Sequence, residues 1–285
     1  MKDSFEARLQ LDRPLVMGIL NVTPDSFSDG GFHLDPLIAR DKARVMVGEG
    51  ADLIDVGGES TRPGALPVSP DEQCRRVLPV LDALLSGAEG HPRPFVSIDT
   101  ASSQVAQEAL LRGAVLVNDV TAGRGDPRMF DVVARHNASM VLMHMQGTPL
   151  TMQDAPQYQD VTDEVAEYLL DRAEAAVVAG VARERIILDP GIGFGKTRAH
   201  NLTLLHQMDR LCRLGYPILL GCSRKRFMGS LCDEADPSAL VGATVATTAL
   251  GVAQGVRLFR VHDVRPNRQA ADVAWHLSKG ADQAF

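Results

Sequence analysis

The apolar run Leu15-Val16-Met17-Gly18-Ile19-Leu20 is followed directly by the polar stretch Asn21-Val22-Thr23-Pro24-Asp25, and this change recurs along the chain. A nearly unbroken apolar run of this length is typical of a strand that is buried on both faces, as in a parallel sheet. Further runs of strand length start at Leu53, Phe95, Val115, Met140, Ile186, Ile218 and Val256. The sequence therefore predicts a sheet of eight buried strands.

Segments with helical periodicity separate these runs. The pattern predicts helices over Pro36 to Glu49, Pro70 to Leu85, Val161 to Val178 and Pro237 to Ala253. Strand and helix alternate about eight times without a linker, which is typical of an α/β fold of the (β/α)8 TIM-barrel type. We expect one domain over residues 1–285, with a core at about 14–280 and long loops at the C-terminal mouth of the barrel.

Composition narrows the classes of function. The chain has 285 residues, 45% of them hydrophobic, and a net charge of −7. These values argue against disorder, and the acidic balance argues against nucleic-acid or anionic-membrane partners. No apolar run approaches the roughly 20 residues that span a bilayer, and the residues after Met1 do not resemble a signal peptide. With no Cys-x-x-Cys pair among its four cysteines, we expect a cytoplasmic protein with reduced thiols.

Polar side chains follow almost every predicted strand. All strands of a closed barrel point the same way, so residues from distant parts of the sequence would meet at one mouth. The residues at these strand ends include Asn21, Glu59, Arg62, Asp99, Asn118, His144, Asp189, Ser223, Lys225, Arg260 and His262. This convergence predicts an active site at the mouth.

The cations of this set favour an anionic ligand. Arg260 and His262 lie at the end of the predicted eighth strand, which runs from Val256 to Phe259, and such barrels often hold phosphate groups near this strand. A phosphate or diphosphate is therefore favoured over a simple carboxylate. The alternative is that both side chains merely pair with Asp263 at the rim of the barrel.

The carboxylate and amide groups favour a flat heterocycle. A buried carboxylate needs partners, and adjacent N–H donors of a ring would satisfy Asp99 or Asp189, while Asn118 can both donate and accept. A permanent ion pair between Asp189 and Lys225 is an equally good interpretation of these residues. No serine lies in a Gly-x-Ser-x-Gly nucleophile motif, so the residues do not indicate covalent catalysis.

The stretch Gly191-Ile192-Gly193-Phe194-Gly195-Lys196-Thr197 resembles a phosphate-binding loop without its spacing. A P-loop would need glycine at position 190, where Pro190 stands and removes a backbone donor. We interpret this stretch as a pocket wall that carries Phe194, which weakens the hypothesis of a P-loop nucleotide hydrolase. His144, between two methionines, is more typical of a packed residue than of a ligand.

Two stretches resemble the signatures of the dihydropteroate synthase family: MGILNVTPDSFSDGG at 17–31 and GADLIDVGGESTRPG at 50–64. Further blocks follow in the family's order: SIDT at 97–100, VND at 117–119, MHMQG at 143–147, LDPG at 188–191, SRK at 223–225 and RVHD at 260–263. The resemblance covers roughly residues 14–280.

The resemblance implies a folate-pathway transferase of the class targeted by sulfonamides. Such an enzyme joins (7,8-dihydropterin-6-yl)methyl diphosphate to 4-aminobenzoate by dissociative substitution, with Mg²⁺ as cofactor, and the family usually forms a homodimer. A pterin-binding methyl carrier without this activity is the alternative; it should lack the DSF at 25–27 and the TRP at 61–63, and both are present.

The resemblance also implies roles for individual residues. Catalytic roles fall to Asp99, Arg62 and Lys225, and Asn21 is the expected ligand of Mg²⁺. The expected pterin contacts are Asp99, Asn118, Met143, Asp189, Phe194, Gly221 and Lys225. Diphosphate is expected at Asn21, Thr61, Arg62, Arg260 and His262. The 4-aminobenzoate site is expected at Phe27, Thr61, Arg62, Pro63, Phe194 and Ser223.

Overall fold

The computed structural model describes residues 4–23, 35–60, 64–86 and 94–280. The strands are β1 (Leu15–Asn21), β2 (Leu53–Gly57), β3 (Phe95–Asp99), β4 (Leu116–Asp119), β5 (Ser139–Met143), β6 (Ile186–Asp189), β7 (Leu219–Leu220) and β8 (Leu258–Val261). The helices are α1 (Phe5–Gln10), α2 (Pro36–Gly48), α3 (Pro70–Leu85), α4 (Ser103–Leu111), α5 (Met129–Arg135), α6 (Val161–Val178), α7 (Arg198–His206), α8 (Met208–Cys212), α9 (Arg226–Cys232), α10 (Val241–Ala253) and α11 (Val264–Lys279).

The strands form one parallel sheet that curls into a barrel, as the sequence predicts. Their order is β6-β5-β4-β3-β2-β1-β8-β7. A parallel bridge between Leu188 and Ile218 joins the two ends of this sheet, and the Leu188 amide donates to the Pro217 carbonyl at 2.9 Å. The predicted (β/α)8 barrel is therefore confirmed.

The boundaries of the last strand differ from the sequence prediction. The run from Val256 predicts a strand that ends at Phe259, whereas β8 runs from Leu258 to Val261. The ladder with β1 explains the shift, because it pairs Leu15 with Leu258 and Met17 with Arg260. Arg260 is consequently a residue of the strand itself rather than of the loop behind it.

One predicted helix is divided in two. The segment from Pro237 begins with a 3-10 turn over Pro237–Ala239, and α10 starts only at Val241. The Asp236 side chain caps the turn by accepting from the Ser238 amide at 2.8 Å. The helices α3 and α6 have the predicted bounds, and the Ser69 hydroxyl caps α3 by accepting from the Glu72 amide at 3.3 Å.

Alternate residues of each strand point into the barrel, and the lower ones form an apolar floor. Leu15, Met17, Leu53, Leu116, Val141, Ile187, Leu219 and Leu258 belong to this cluster. Helix α1 contributes Phe5 and Leu9, which are 1% and 4% exposed, to the same cluster. Since the floor is filled with apolar side chains, the polar residues higher on the strands face the opposite end, the C-terminal mouth. No helix within the described ranges is both long and apolar enough to cross a membrane.

Candidate active site at the barrel mouth

The ends of the strands carry the residues that the sequence predicts for the site. Asn21 on β1, Asp99 on β3 and Asn118 on β4 lie at one level of the ladder. On the other side of the barrel, Met143 at the end of β5 pairs with Asp189 at the end of β6. The mouth therefore collects these side chains although the chain separates them widely.

Arg260 joins two acids on neighbouring strands. Its Nε donates to Asp55 Oδ2 at 2.6 Å and its Nη2 donates to Asp99 Oδ2 at 2.7 Å. The alternative interpretation, in which Arg260 merely pairs with Asp263 at the rim, is not observed. Asp263 instead accepts from Nη2 and Nε of Arg224, at 2.6 and 3.0 Å.

Asp55 is the residue of this network that the sequence analysis did not single out. It is fully buried on β2, and its Oδ2 also accepts from Asn118 Nδ2 at 3.1 Å. The signal was available, because an acid interrupts the apolar run Leu53-Ile54-Asp55-Val56 at the position that alternation turns into the barrel. A charge at an inward position of a buried strand indicates a partner within the barrel.

Burial and neighbouring charges set the protonation of this network. Burial raises the pKa of Asp99 to about 7; the Arg260 charge acts in the opposite direction, and the Asp55 charge adds to the rise. Burial alone would lower the pKa of Arg260, but the charges of Asp55 and Asp99 outweigh it and raise that pKa. Arg260 is therefore a permanent cation, and Asp99 is the group whose protonation responds to its surroundings.

Asp189 has one carboxylate oxygen fixed by the backbone. Its Oδ1 accepts from the Gly191 amide at 2.7 Å, and none of the hydrogen bonds found among the described residues reaches its Oδ2. Burial raises the pKa of Asp189, against the Gly191 hydrogen bond and the charge of Lys225. The alternative of a permanent Asp189–Lys225 ion pair is not observed. The ion pairs within 4.0 Å among the described residues do not include these two side chains.

Lys225 instead lies over an aromatic ring. Its Nζ is 4.2 Å from the centre of the Phe194 ring, a cation–π contact. Burial lowers the pKa of Lys225 to about 8, although the Asp189 charge raises it. The predicted wall residue Phe194 thus meets a predicted catalytic residue at the mouth.

The loops after β7 and β8 are joined through Ser223 and His262. The Ser223 hydroxyl accepts from the His262 amide at 3.1 Å and lies 2.9 Å from His262 Nδ1. Between Ser223 and Lys225, Arg224 has a left-handed backbone with φ 57°. Its ion pair with Asp263 holds this conformation, so the two neighbours of Arg224 are presented by one tight turn.

Two more predicted pterin contacts lie at the wall of the mouth. Met143 is 2% exposed and belongs to a small cluster with Met145, Met152 and Phe194. Gly221 follows β7 beside Asp189, and a Cβ atom on it would lie 3.9 Å from Asp189 Oδ2. The remaining predicted residues Phe27, Thr61, Arg62 and Pro63 lie outside the described residues.

The glycine-rich stretch after β6 does not form a phosphate cradle. The Gly193 amide donates to Asn201 Oδ1 at 2.7 Å, and the Phe194 amide donates to the Gly191 carbonyl at 3.0 Å. Lys196 is buried and donates to the Gly191 and Phe194 carbonyls, each at 3.0 Å. These donors are used within the protein and are therefore not available to cradle a phosphate, while the role of the loop as a pocket wall stays a prediction.

The described residues at the mouth offer a hard cation such as Mg²⁺ only a small number of protein ligands. Asn21 is half-buried at the end of β1, and its side chain makes no hydrogen bond to another described residue. The described chain contains no cluster of three or more His, Cys, Asp or Glu side chains that could hold a metal. Magnesium often takes one or two protein oxygens and completes its shell with water and substrate phosphate, and Asn21 fits that pattern.

The sequence of this chain is similar to a known protein family and to its members. The family model described as pterin binding enzyme matches residues 17–262. A dihydropteroate synthase of Synechocystis sp. is 45% identical over 262 residues, which cover 92% of this chain and 89% of the relative.

Solved structures agree with the sequence relatives. A Xanthomonas albilineans dihydropteroate synthase with 4-aminobenzoic acid has a TM-score of 0.87 and 44% identity, covering 95% of this chain and 94% of its own. A Yersinia pestis dihydropteroate synthase in complex with a sulfonamide drug has a TM-score of 0.87 and 40% identity, covering 94% of this chain and 95% of its own.

Asp55→Asn should lower the pKa of Asp99 from about 7, because it removes a like charge and leaves Arg260 with Asp99 as its remaining anionic partner. A ¹³C NMR titration of aspartate-labelled protein measures this pKa, with an Asp99→Asn sample to assign the signal. Asp131→Asn, at an exposed acid on α5, is the matched control and should leave the titration unchanged. An unchanged or higher pKa in Asp55→Asn would contradict the proposed charge coupling.

Proposed function

The chain belongs to the pterin-binding enzyme family, and we propose which residues of its barrel mouth carry out each part of the dihydropteroate synthase reaction. It is a transferase of folate biosynthesis. It joins (7,8-dihydropterin-6-yl)methyl diphosphate to 4-aminobenzoate and releases diphosphate and 7,8-dihydropteroate. The observation that carries the residue assignment is the convergence of Asp99, Asn118 and Asp189 at the mouth, each held by a neighbour that fixes its orientation.

Asp189 and Asn118 are the proposed recognition groups for the pterin. Asp189 Oδ2 accepts from the ring N–H and amino groups, while Gly191 holds the other oxygen in place. Asn118 uses its amide nitrogen on Asp55, which leaves its carbonyl oxygen for the ring. Met143 and Gly221 form the sides of this part of the pocket, and Lys225 above Phe194 closes it.

Diphosphate is proposed to bind at the positive side of the mouth. Arg260 uses Nε and Nη2 on Asp55 and Asp99, and its Nη1 makes no hydrogen bond within the described chain. That nitrogen can therefore meet phosphate oxygens, and His262 is the second proposed contact. Asn21 joins them from β1, and Thr61 and Arg62 stay predicted members of the same group.

Phe194 and Ser223 are the described members of the proposed 4-aminobenzoate site. The hydrogen bond between Ser223 and His262 supports a 4-aminobenzoate site beside the proposed diphosphate site, as a transfer between the two substrates requires. Phe27, Thr61, Arg62 and Pro63 complete the prediction.

The proposed chemistry is a dissociative substitution. The C–O bond between the pterin methylene and diphosphate breaks, and its electron pair leaves with diphosphate. Asp99, beside the pterin, stabilises the positive charge that develops on the methylene. The neutral amine of 4-aminobenzoate then forms the new C–N bond, and its nitrogen loses a proton. No covalent enzyme intermediate is needed, so no nucleophilic side chain is required.

Asp189→Asn should weaken the binding of pterin diphosphate about 30-fold or more while the fold is kept, because a charge-assisted hydrogen-bond acceptor is lost in a buried site. Isothermal titration without 4-aminobenzoate measures this affinity. Asp131→Asn serves again as the exposed control. If Asp189→Asn bound the pterin as tightly as the original chain, the assignment of Asp189 would be wrong.

Mg²⁺ is proposed to bind at Asn21 together with the diphosphate oxygens and water. When bound, it neutralises charge on the leaving diphosphate. The support in this chain is the amide oxygen of Asn21 at the mouth, which accepts no hydrogen bond from another described residue and suits Mg²⁺ better than a thiol would.

Asn21→Leu keeps a side chain of similar size but removes the oxygen ligand. It should therefore raise the Mg²⁺ concentration for half-maximal activity at least tenfold, about 1.4 kcal/mol. Asn21→Asp, which keeps an oxygen and adds a charge, should need no more Mg²⁺ than the original chain. The measurement is dihydropteroate formation over a series of Mg²⁺ concentrations buffered with EDTA. Full activity in excess EDTA would refute the metal role.

A homodimer is proposed through the outer face of α10. Leu250 on this helix is 63% exposed, and the neighbouring Leu231 and Leu202 are 51% and 40% exposed. They line an apolar groove of about 490 Å³ between α7, α9 and α10. A two-fold interface places the same patch of both copies in contact, so a second copy of this chain can cover these leucines.

Leu250→Glu should convert the dimer to a monomer of 30.7 kDa, because it buries an unpaired charge in the interface. Sedimentation velocity at micromolar concentration measures the mass. Leu37→Glu, at a residue on α2 that is 51% exposed, is the matched control and should stay dimeric. A monomeric original chain would contradict the proposed dimer.

The proposal places the reaction in the cytoplasm and on one barrel domain. All four cysteines are free, and Cys232 is exposed. Exposed free thiols are typical of a reducing compartment.

A further inference from the structure

The loops after β5 and β6 approach each other more closely than side chains would allow. A Cβ atom on Gly191 would lie 1.9 Å from the His144 carbonyl oxygen, and one on Gly195 would lie 2.5 Å from the Gln146 carbonyl oxygen. Both glycines have a left-handed backbone, with φ 65° and 59°. The approach brings several carbonyl oxygens of the two loops into one buried space.

Lys196 supplies the donors for this space. Its side chain is buried, and its Nζ donates to the Gly191 and Phe194 carbonyls at 3.0 Å each and lies 2.8 Å from His144 Nδ1. The His144 carbonyl is a fourth, longer contact at 3.4 Å. No described carboxylate lies within 4.0 Å of this ammonium group among the ion pairs. The close partners of Lys196 are therefore dipoles rather than a carboxylate, and burial lowers its pKa to about 7, although the Asp189 charge raises it.

The three short contacts match the three N–H bonds of an ammonium group. They require His144 to be neutral with Nδ1 as an acceptor. Burial and the Lys196 charge lower the pKa of His144 to about 2, which agrees with a neutral ring. His144 also packs edge-on against the Tyr168 ring, at 4.9 Å between centroids, so the ring is held in this orientation.

Each partner of Lys196 is connected to the proposed pterin site. Gly191 donates its amide to Asp189 Oδ1 at 2.7 Å, and the His144 amide donates to the Asp189 carbonyl at 3.0 Å. Phe194 lies under Lys225, with 4.2 Å between Nζ and the ring centre. Since its close N–H contacts are all made inside the wall, Lys196 acts through these neighbours rather than on a ligand.

We propose that Lys196 is a positioning residue for pterin binding, which orients the Asp189 carboxylate and the Phe194 ring by holding the loops after β5 and β6 together. This inference rests on the proposed function, because it takes Asp189 as the acceptor for the pterin. Without the ammonium group, the carbonyls of Gly191, Phe194 and His144 would lose their common donor in a buried space. The two loops would then separate, and Asp189 would lose its fixed orientation.

Lys196→Met keeps an unbranched side chain that is one atom shorter and removes the ammonium group. We expect the Kd and the KM for pterin diphosphate to rise about tenfold or more, as a misplaced binding group in a site causes. The KM for 4-aminobenzoate should change much less than the KM for the pterin. Arg198→Met removes one exposed cation two residues further on and should change neither constant. A stability role alone would lower the melting temperature and the active fraction without moving the pterin Kd, and that result would overturn the inference.

A second pair of variants decides the matter if Lys196→Met does not fold. His144→Leu removes the acceptor for Nζ, whereas His144→Gln offers a side-chain carbonyl in its place. The inference expects weak pterin binding in His144→Leu and a substantial rescue in His144→Gln. Equal pterin affinity in the two variants would contradict it.

The Asp189→Asn variant separates this inference from the proposed function. If Asp189→Asn retains full pterin affinity, the proposed pterin site is wrong. If Asp189→Asn loses affinity and Lys196→Met does not, only the positioning role is wrong. In the double variant Asp189→Asn/Lys196→Met the effects should be less than additive, because both changes act on the same hydrogen bonds; full additivity would refute the coupling.

Discussion

The Arg260 guanidinium between Asp55 and Asp99 is the interaction on which the mouth of the barrel depends. It fixes two carboxylates on adjacent strands, at 2.6 and 2.7 Å, and through Asp55 it also fixes Asn118. Removing either charge would leave the other buried without a partner, which is strongly destabilising in protein interiors. These buried ion pairs are therefore weak evidence for the stability of the fold and strong evidence that the side chains at the mouth must be held in this arrangement. The free-energy cost of burying these charges is offset by the apolar floor below them, where α1 closes the barrel with Phe5 and Leu9.

A second layer of interactions fixes the loops around that centre. Arg224 and Asp263 hold the turn that presents Ser223 and Lys225, while Lys196 holds the wall that presents Phe194. Both cations act within the protein, one on a carboxylate and one on backbone carbonyls. The sequence alone does not distinguish such cations from those that face a ligand, because both kinds follow strand ends.

Much of the fold and most of the described site follow from the sequence, for a physical reason. Apolar runs with polar ends predict parallel strands, and the closed barrel then brings Asn21, Asp99 and Asp189 together without any knowledge of loops. What the sequence does not give is pairing across the barrel. Arg260 and Asp263 are three residues apart, yet Arg260 pairs with Asp55, which lies 205 residues away. That choice depends on the β1–β8 ladder, whose register places Arg260 inside the strand rather than beyond it.

The distribution of charge also agrees with the kind of reaction that the mouth is proposed to host. A dissociative transfer separates a cationic methylene from an anionic diphosphate, so a site of one sign would stabilise only half of the transition state. Here the acids lie on the strands, with Asp99 and Asp189 buried to 7% and 6% exposure, whereas Lys225 and His262 belong to the segments that follow β7 and β8. Arg260 itself pairs with Asp55 and Asp99, and its charge favours the anionic form of Asp99. With acids and cations already in place on opposite sides of the mouth, the proposed reaction requires no nucleophilic side chain. It also requires no large movement of charge within the protein.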